Sequence, residues 1–513
     1  MFRSAGLAIT ATLIGQLLNF AVDVLIAGTF GTSWRADAYY LALIIPIMII
    51  DLFALAINAV FIPSYVERQR SGGGDEFFSS MLNASSILAV FVCAAAYFLL
   101  PSLVDAVAGG FTPQARSLTV MLTRMLIVLI FTAQVSSFLS SRLNAHGRFF
   151  LPALGKSFNY VFIIIALFAL KDAFGILSLP MGYVAGSVVF ILSLFMLFRR
   201  EGLGYSFRLC PKAAVLKETG VMLIPLFASA IASYGGILVE RAIAAGFPEG
   251  SIAALSYAFK LVNVPINLFI LGAMSVVLPA FSTLARDADT NGLAELFTRG
   301  LRVVSFFIIP ASAGIALLRA PLISLLFERG AFTPSSSLMT STALLYYVFG
   351  IFGAASVSVA SRVFLALKDI KTMSILGIFI VALNIVLLVV LSSALGFTGI
   401  PLAFSITSSV HIALMLVILE RRTGMDIIRP ILAPVAKHLV AAAAMTAVLL
   451  LLASPLRLYL PLTVKAAQFA YIAVFAAAGT ALYLAFCRAL RVEETGFILE
   501  RLNAAFLKQS QIK

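Results

Sequence analysis

Hydrophobic and polar positions alternate along this chain in long blocks. Apolar runs of roughly 18 residues or more follow one another from end to end, and a run of this length crosses a hydrocarbon core of about 30 Å as a helix. The pattern predicts an all-α polytopic membrane protein with about fourteen transmembrane helices. The predicted spans lie near 5–30, 36–64, 77–100, 116–141, 150–170, 178–198, 214–239, 250–281, 297–318, 337–361, 372–393, 398–419, 434–453 and 464–487.

Two stretches of the chain, about 220 residues apart, resemble each other. Phe-Thr-Pro at 111–113 opens one long apolar helix and Phe-Thr-Pro at 332–334 opens another, and the helices close on Ser-Arg pairs at 141–142 and 361–362. Internal repeats in a polytopic membrane protein indicate two bundles around a central site. A second group of residues supports the same repeat. Asp23, Tyr40 and Pro63 have nearly the same spacing as Glu240, Tyr257 and Pro279.

The repeat divides the chain into two lobes and an appendage. Residues 1–200 hold six predicted spans and form an N-terminal lobe, and residues 214–420 hold six more and form a C-terminal lobe. Because six is even, both halves enter the membrane from the same side, so the repeats are parallel. Two additional helices follow at 434–488, and residues 489–513 are predicted to be a cytoplasmic tail.

Composition and charge agree with a membrane protein. Hydrophobic residues make up 62% of the chain, charged residues 11%, and the mean hydropathy is +1.07. The net charge of +14 comes from basic residues scattered among short loops, so we expect no nucleic-acid partner. With the N-terminus in the cytoplasm, 26 Lys and Arg fall on the cytoplasmic side and eight on the other. The positive-inside rule therefore predicts that both termini are cytoplasmic.

A few ionisable residues fall inside the spans, where each costs about 2.5–3.5 kcal/mol to insert. Arg124 is expected to tie neighbouring helices together. The others lie mostly on equivalent helices of the two halves and are expected to converge in a polar cavity of mixed sign. This set comprises Asp23, Asp51, Glu240, Arg241 and Lys260.

Each of these charges has two interpretations. Lys260 either meets an anionic head group or forms a buried pair with one of the acids. Asp23 and Glu240 are either proton or cation sites or partners of neighbouring bases. Asp51 either pairs with Lys260 or carries a coupling cation, and Arg241 either lines the cavity or marks the membrane boundary.

Signatures of an enzyme are missing from the sequence. The three histidines are far apart, the three cysteines form no disulfide or metal pattern, and Gly72–Gly74 lacks the Lys-Ser/Thr of a nucleotide loop. We therefore expect a transporter with no catalytic residue, no metal and no resident cofactor. A coupling cation, Na⁺ or H⁺, or the membrane potential is the expected energy source.

The chain resembles the MurJ/MviN family of lipid II flippases, within the multidrug/oligosaccharidyl-lipid/polysaccharide exporter superfamily. The resemblance covers the whole chain in order. Its motifs are Ala36-Asp37-Ala38-Tyr39-Tyr40-Leu41-Ala42 with Pro46 and Phe61-Ile62-Pro63, Asn19-Phe20-Ala21 with Asp23, Phe30-Gly31, the Phe-Thr-Pro openings, and Leu365-Ala366-Leu367-Lys368-Asp369-Ile370-Lys371-Thr372.

The resemblance implies two six-helix lobes that alternate between cytoplasm-open and periplasm-open states, and a groove at the last two helices for a polyprenyl tail. Asp23 and Asp37 match the family pattern and, with Glu240, are candidates for gating or coupling. Family members carry arginines in the first, second and eighth spans that meet the substrate head group. In this chain those places are occupied by Gln16, Val22, Asp51 or its neighbour Ile50, and Lys260.

The expected function is that of a flippase for cell-wall or envelope polysaccharide synthesis. Its substrate would be lipid II or a related polyprenyl-pyrophosphate-linked oligosaccharide, and it would act as a monomer in the bacterial inner membrane. A cation-coupled multidrug exporter of the same superfamily is the first alternative, which Asp51 favours. A membrane-embedded glycosyltransferase or polymerase is the second, although no large loop with catalytic residues is visible.

Overall fold

The computed structural model describes residues 2–70, 72–207, 213–287, 289–424, 426–459 and 464–496, and this part of the chain contains helices and turns but no strand. The all-α prediction is confirmed. The α-helices are α1 Phe2–Phe30, α2 Trp34–Ala42, α3 Ile44–Ala56, α4 Ile62–Arg70, α5 Gly74–Val107, α6 Pro113–Leu126, α7 Val128–Ala145, α8 Phe150–Ala153, α9 Gly155–Phe174, α10 Ser178–Arg200, α11 Ala213–Ala244, α12 Ser251–Arg286, α13 Thr290–Phe327, α14 Pro334–Val348, α15 Ile351–Ala366, α16 Ile370–Leu395, α17 Gly399–Thr423, α18 Ile428–Tyr459 and α19 Lys465–Ala489.

The two Phe-Thr-Pro segments start helices in the same way. Thr112 and Thr333 are the N-caps of α6 and α14, and each side chain accepts a hydrogen bond from the backbone N–H three residues later, at 3.3 Å in both cases. Proline follows as the first helical residue, where its missing N–H costs nothing. The matched caps support the duplication predicted from the sequence.

A second matched feature lies further along each half. Gly175 and Gly396 end α9 and α16 with φ angles of 55° and 64°, and each opens a short 3₁₀ turn that leads into the next long helix. A positive φ is costly for any residue with a Cβ, so glycine is required at both turns. The equivalent turns again lie about 220 residues apart.

Membrane crossing is supported by length and composition. Within the described ranges, nine helical stretches are long and apolar enough to span a membrane, or ten if the bent pair α14 and α15 is one span. That pair bends by 49° at its break, where the sequence predicted one continuous helix. The chain is a multi-pass membrane protein, and the exact number of fourteen spans stays a prediction.

The chain divides into two compact units. Unit 1 contains Met1–Ala253 with Arg329–Phe332, and unit 2 contains Ala254–Glu328 with Thr333–Lys513. In unit 1, buried residues of α1, α2, α6, α9 and α10 form one apolar cluster, and α11 packs on α3 and α5. The domain limits proposed from the sequence repeat remain predictions.

Unit 2 carries the two C-terminal helices on one long helix. Phe306 and Ile309 of α13 pack with Met445 of α18 and with Tyr471 and Tyr483 of α19 in one buried cluster. These helices have no counterpart in the repeat, so their attachment to the lobe depends on this contact with α13.

Small residues allow α9 and α10 to pack closely. A Cβ added at Gly186 of α10 would lie 2.7 Å from the Cα of Asn159, and one at Gly182 would lie 2.6 Å from the carbonyl oxygen of Phe162. Backbone-to-backbone contact of this kind is a main source of helix association in lipid.

We predict that Gly186→Ala destabilises the protein by about 1–3 kcal/mol, because the added methyl group forces the α9 backbone away. Gly377→Ala is the matched control, since a Cβ at Gly377 of α16 meets nothing within 4 Å. Thermal unfolding in detergent measures both. An equal effect of the two substitutions would contradict the close packing of α9 and α10.

Candidate functional site

Asp23 and Tyr40 form a buried polar contact between α1 and α2. Asp23 precedes the end of α1 by about two turns and Tyr40 follows the start of α2 by nearly two, so the side chains reach the same depth after the tight turn. The Tyr40 hydroxyl donates to Oδ1 of Asp23 at 2.9 Å, and Asp23 is only 4% exposed. A buried carboxyl group needs such a donor.

Asp51 of α3 is exposed, and its partner is a tyrosine. The hydroxyl of Tyr234, on α11, donates a short hydrogen bond to Oδ2 of Asp51. Sequence reasoning missed Tyr234, although an isolated tyrosine next to two glycines in an apolar helix is a signal of a functional position. This contact joins α3, which lies in the second predicted span, to α11, which contains the seventh.

Asp37 caps the start of another helix. Its Oδ2 accepts the N–H of Gly250 and its Oδ1 accepts the N–H of Ala253, both at 2.7 Å, so its carboxylate satisfies two N–H groups at the beginning of α12. The side chain is 4% exposed. A carboxylate at a helix N-terminus is stabilised by charge-assisted hydrogen bonds and by the helix dipole.

The reverse contact is also present. Glu249, in the turn before α12, accepts the backbone N–H of Trp34 at the start of α2, at 2.8 Å. Ser33 caps α2 as well, because its side chain accepts the N–H of Ala36. The turn before each of these two helices therefore lies against the first turn of the other, in a reciprocal arrangement.

Four turns of unit 1 meet around this pair of caps, and we refer to them together as the turn cluster. They are residues 28–33 at the end of α1 and in the turn before α2, 109–111 before α6, 245–250 between α11 and α12, and 329–332 before α14. In the sequence repeat, the first turn corresponds to the third and the second to the fourth.

Glycine is required in the turn cluster because backbones touch there. Gly250 has a φ of +88°, and a Cβ added to it would lie 2.1 Å from the carbonyl oxygen of Thr32. Gly330 and Gly110 are equally crowded, with added Cβ atoms at 2.2 Å from backbone oxygens of Gly28 and Ala245. The cluster is held by direct backbone contacts, including a 2.9 Å hydrogen bond from the N–H of residue 331 to the carbonyl of Gly28.

Arg241 lies beside the turn cluster, at the end of α11. Its Nη1 is 3.4 Å from the carbonyl oxygen of Ile252, at the start of α12. Both interpretations of Arg241 stay predictions. Glu240, the preceding residue, is half-buried in the same last turn of α11.

The remaining candidates are Gln16, Lys260 and Arg124. Gln16 is half-buried on α1 in unit 1. Lys260 is half-buried on α12 in unit 2. Its neighbour in the chain, Phe259, belongs to a cluster of rings and lies 5.4 Å from both Tyr347 and Phe404. Arg124 stacks over the ring of Tyr97 at 4.5 Å and so links α6 to α5. Lys260 is the only one of the cationic candidates that lies in unit 2.

Metal chemistry finds no support in the part of the chain that the structure describes. No group of three or more His, Cys, Asp or Glu side chains lies close enough there to hold a metal ion. Of the three cysteines, Cys93 and Cys487 are free thiols, and Cys210 lies outside the described residues.

Comparison with known proteins identifies one family. The family model for lipid II flippase MurJ matches residues 26–468. A probable lipid II flippase MurJ of Rhizobium meliloti is 27% identical over 477 residues, covering 89% of this chain and 88% of the relative. The lipid II flippase MurJ of Thermosipho africanus is 28% identical and covers 79% of this chain and 83% of its own length.

Solved structures agree with this result. A structure of lipid II flippase MurJ in an inward closed conformation matches with a TM-score of 0.79 at 25% identity, covering 94% of this chain and 99% of that one. An inward-facing multidrug transporter of the MATE family matches with a TM-score of 0.66 at 16% identity, covering 82% of this chain and 98% of its own length. The second match shows a shared fold.

We predict that Asp37→Ala opens the turn cluster, because two N–H groups of α12 lose a charged acceptor worth about 1.5–3 kcal/mol per bond. A single cysteine at Thr32, in a background whose native cysteines are replaced by serine, should then react with a membrane-impermeant maleimide roughly tenfold faster. Asp105→Ala is the control, since Asp105 is 64% exposed and makes only a 3.8 Å ion pair with Arg116. Unchanged labelling in a well-folded Asp37→Ala protein would contradict the cap.

Proposed function

The chain belongs to the lipid II flippase MurJ family, and from this premise we propose that it moves a polyprenyl-pyrophosphate-linked saccharide from the inner to the outer leaflet of the bacterial inner membrane. Lipid II is the first candidate substrate, and a related lipid-linked oligosaccharide is the second. Family membership over residues 26–468 supports this function. The protein is a transporter rather than an enzyme.

The physical task of the protein is to carry a charged sugar head past hydrocarbon. A polar head group in lipid loses its hydrogen bonds to water, whereas a cavity within the helices keeps it solvated. The isoprenoid tail stays in the bilayer throughout. No covalent step is required.

The turn cluster is the observation that carries the mechanism. If both termini are cytoplasmic, the turns that follow α1, α5, α11 and α13 all lie on the periplasmic side. The caps supplied by Asp37 and Glu249 then hold the periplasmic side closed, and the saccharide is released only after they separate. Because the caps are few and local, a small change in binding energy is enough to open them.

Asp23 and Asp51 suit a role in the cavity that the head group enters. Each accepts a hydrogen bond from one tyrosine, Tyr40 or Tyr234, and a tyrosine hydroxyl also donates well to phosphate and sugar oxygens. We propose that during transport each tyrosine hydroxyl leaves its carboxylate and donates its hydrogen bond to the substrate instead. Gln16 of unit 1 is a further candidate for contact with the head group, and Lys260 of unit 2 is a separate candidate.

Energy for resetting the lobes comes from a cation gradient or from the membrane potential in this proposal. One elementary charge that crosses 100 mV changes the free energy by about 2.3 kcal/mol. Asp23 and Asp51, together with Glu240 at the end of α11, are the residues whose charge would move or bind a coupling Na⁺ or H⁺. The protein is proposed to act as a monomer.

Reconstitution tests the proposed function directly. Proteoliposomes that contain the protein should flip fluorescent lipid II, or another polyprenyl-linked saccharide, at a rate that protein-free vesicles do not reach. Movement of neither lipid, together with uptake of cationic dyes, would contradict the proposal and favour a multidrug exporter.

We predict that Lys260→Ala lowers the flipping rate roughly tenfold or more, because a desolvated contact between an ammonium and a phosphate is worth at least about 1.4 kcal/mol. Arg124→Ala is the matched control, since Arg124 stacks on Tyr97 between α5 and α6. Rates are compared at equal amounts of reconstituted protein. A larger loss for Arg124→Ala than for Lys260→Ala would remove the head-group role of Lys260.

A further inference from the structure

A buried histidine joins three elements of unit 2, at a place that the transport proposal does not use. His438 of α18 is 0% exposed, and its Nδ1 lies 2.8 Å from the hydroxyl oxygen of Ser305 on α13. Its Nε2 lies 3.7 Å from Oε2 of Glu494, in the turn after α19. Neither Nε2 of His438 nor Oε2 of Glu494 makes a hydrogen bond.

A neutral ring leaves one contact of this group without a hydrogen. Ser305 also donates to the carbonyl oxygen of Arg302 at 2.8 Å, so the hydrogen of its 2.8 Å contact with Nδ1 comes from the ring. A neutral imidazole carries only one hydrogen, so Nε2 then presents a lone pair to Oε2 of Glu494 at 3.7 Å. An imidazolium supplies the missing hydrogen.

The charges around the ring favour this extra proton. Burial opposes ionisation of Glu494, but the His438 imidazole and the Arg302 guanidinium nearby hold the pKa of Glu494 at about 2. Glu494 is therefore an anion at any physiological pH, and its negative charge lies beside the imidazole.

Neighbouring elements supply the other groups that face the ring. The guanidinium of Arg302 is neutralised by two carboxylates, at 2.7 Å from Glu494 and 2.6 Å from Glu493. The ring of Phe306 packs edge-on against the imidazole at 5.5 Å. Tyr483 and Cys487 of α19 lie in the same buried cluster as Phe306, and the ammonium of Lys437 on α18 donates to the carbonyl of Arg491.

We propose that His438, Ser305 and Glu494 form a proton-binding site that fastens the two C-terminal helices to α13. A proton on Nε2 lets the 3.7 Å contact shorten into a charge-assisted hydrogen bond, while Nδ1–H keeps its link to Ser305. Loss of the proton leaves a lone pair facing a buried carboxylate. Protonation therefore tightens the attachment of α18 and of the turn after α19, and deprotonation loosens it.

The site lies at the contact that attaches the C-terminal helices to the lobe, so protonation there would change how firmly these helices are held. The C-terminal helices are outside the repeat and contact the lobe through α13, so their attachment can change without disturbing the repeat itself. By the topology predicted from basic residues, the site is on the cytoplasmic side, where it would respond to cytoplasmic pH.

Full-length protein in detergent tests the proposal. We expect the midpoint of thermal unfolding to rise by about 2 °C or more between about pH 8 and about pH 6, beyond the change seen in His438→Gln, which cannot take up the proton. His146→Gln is the matched control, because His146 is exposed and should leave the pH response unchanged. Glu494→Gln removes the acceptor and should flatten the response in the same way as His438→Gln.

A second readout does not depend on how the variants fold. In ¹⁵N-histidine spectra of the wild-type protein at about pH 6, the signals absent from His438→Gln should show both ring nitrogens protonated. A ring with one protonated nitrogen at that pH, or a pH response of unfolding that persists in both His438→Gln and Glu494→Gln, would overturn the proposal.

Discussion

The first turn of α12 begins in a buried environment, and the backbone N–H groups there have no water to bind. A helix start in such a place is stable only if another part of the chain supplies acceptors. Asp37 supplies them from α2, with both oxygens at 2.7 Å from N–H groups of Gly250 and Ala253. Because Asp37 lies in the first repeat and α12 in the second, one carboxylate ties the duplicated halves together.

Duplication explains why this contact is part of a larger set. Turns at equivalent places in the two repeats meet in the turn cluster, and the glycines there allow backbone to touch backbone. The interactions seen there are a few hydrogen bonds and close backbone contacts. This is the kind of element that two states of a transporter need, closed by local contacts and opened at modest cost.

The sequence predicted the features that depend on composition and local pattern. Long apolar runs, the repeated Phe-Thr-Pro caps and the family motifs led to the fold, and the Asp37 motif pointed to a residue that caps a helix start, while its gating role stays a prediction. The partners of the acids could not be predicted, because Tyr234, Glu249 and the backbone of Gly250 are distant in the sequence and become neighbours only through packing. The bend between α14 and α15 falls at Phe349 and Gly350, and a single glycine in an apolar run is too weak a signal to predict a break.

The central claim, that the turn cluster must open for transport, is tested most directly by locking it. Arg35→Cys and Pro248→Cys place exposed thiols on the α1–α2 and α11–α12 sides of the cluster, and a short bifunctional thiosulfonate joins them reversibly. Flipping of lipid-linked saccharide in proteoliposomes is then measured before linking, after linking and after reduction. The account predicts that linking abolishes flipping and reduction restores it, whereas full activity of the linked protein would contradict it.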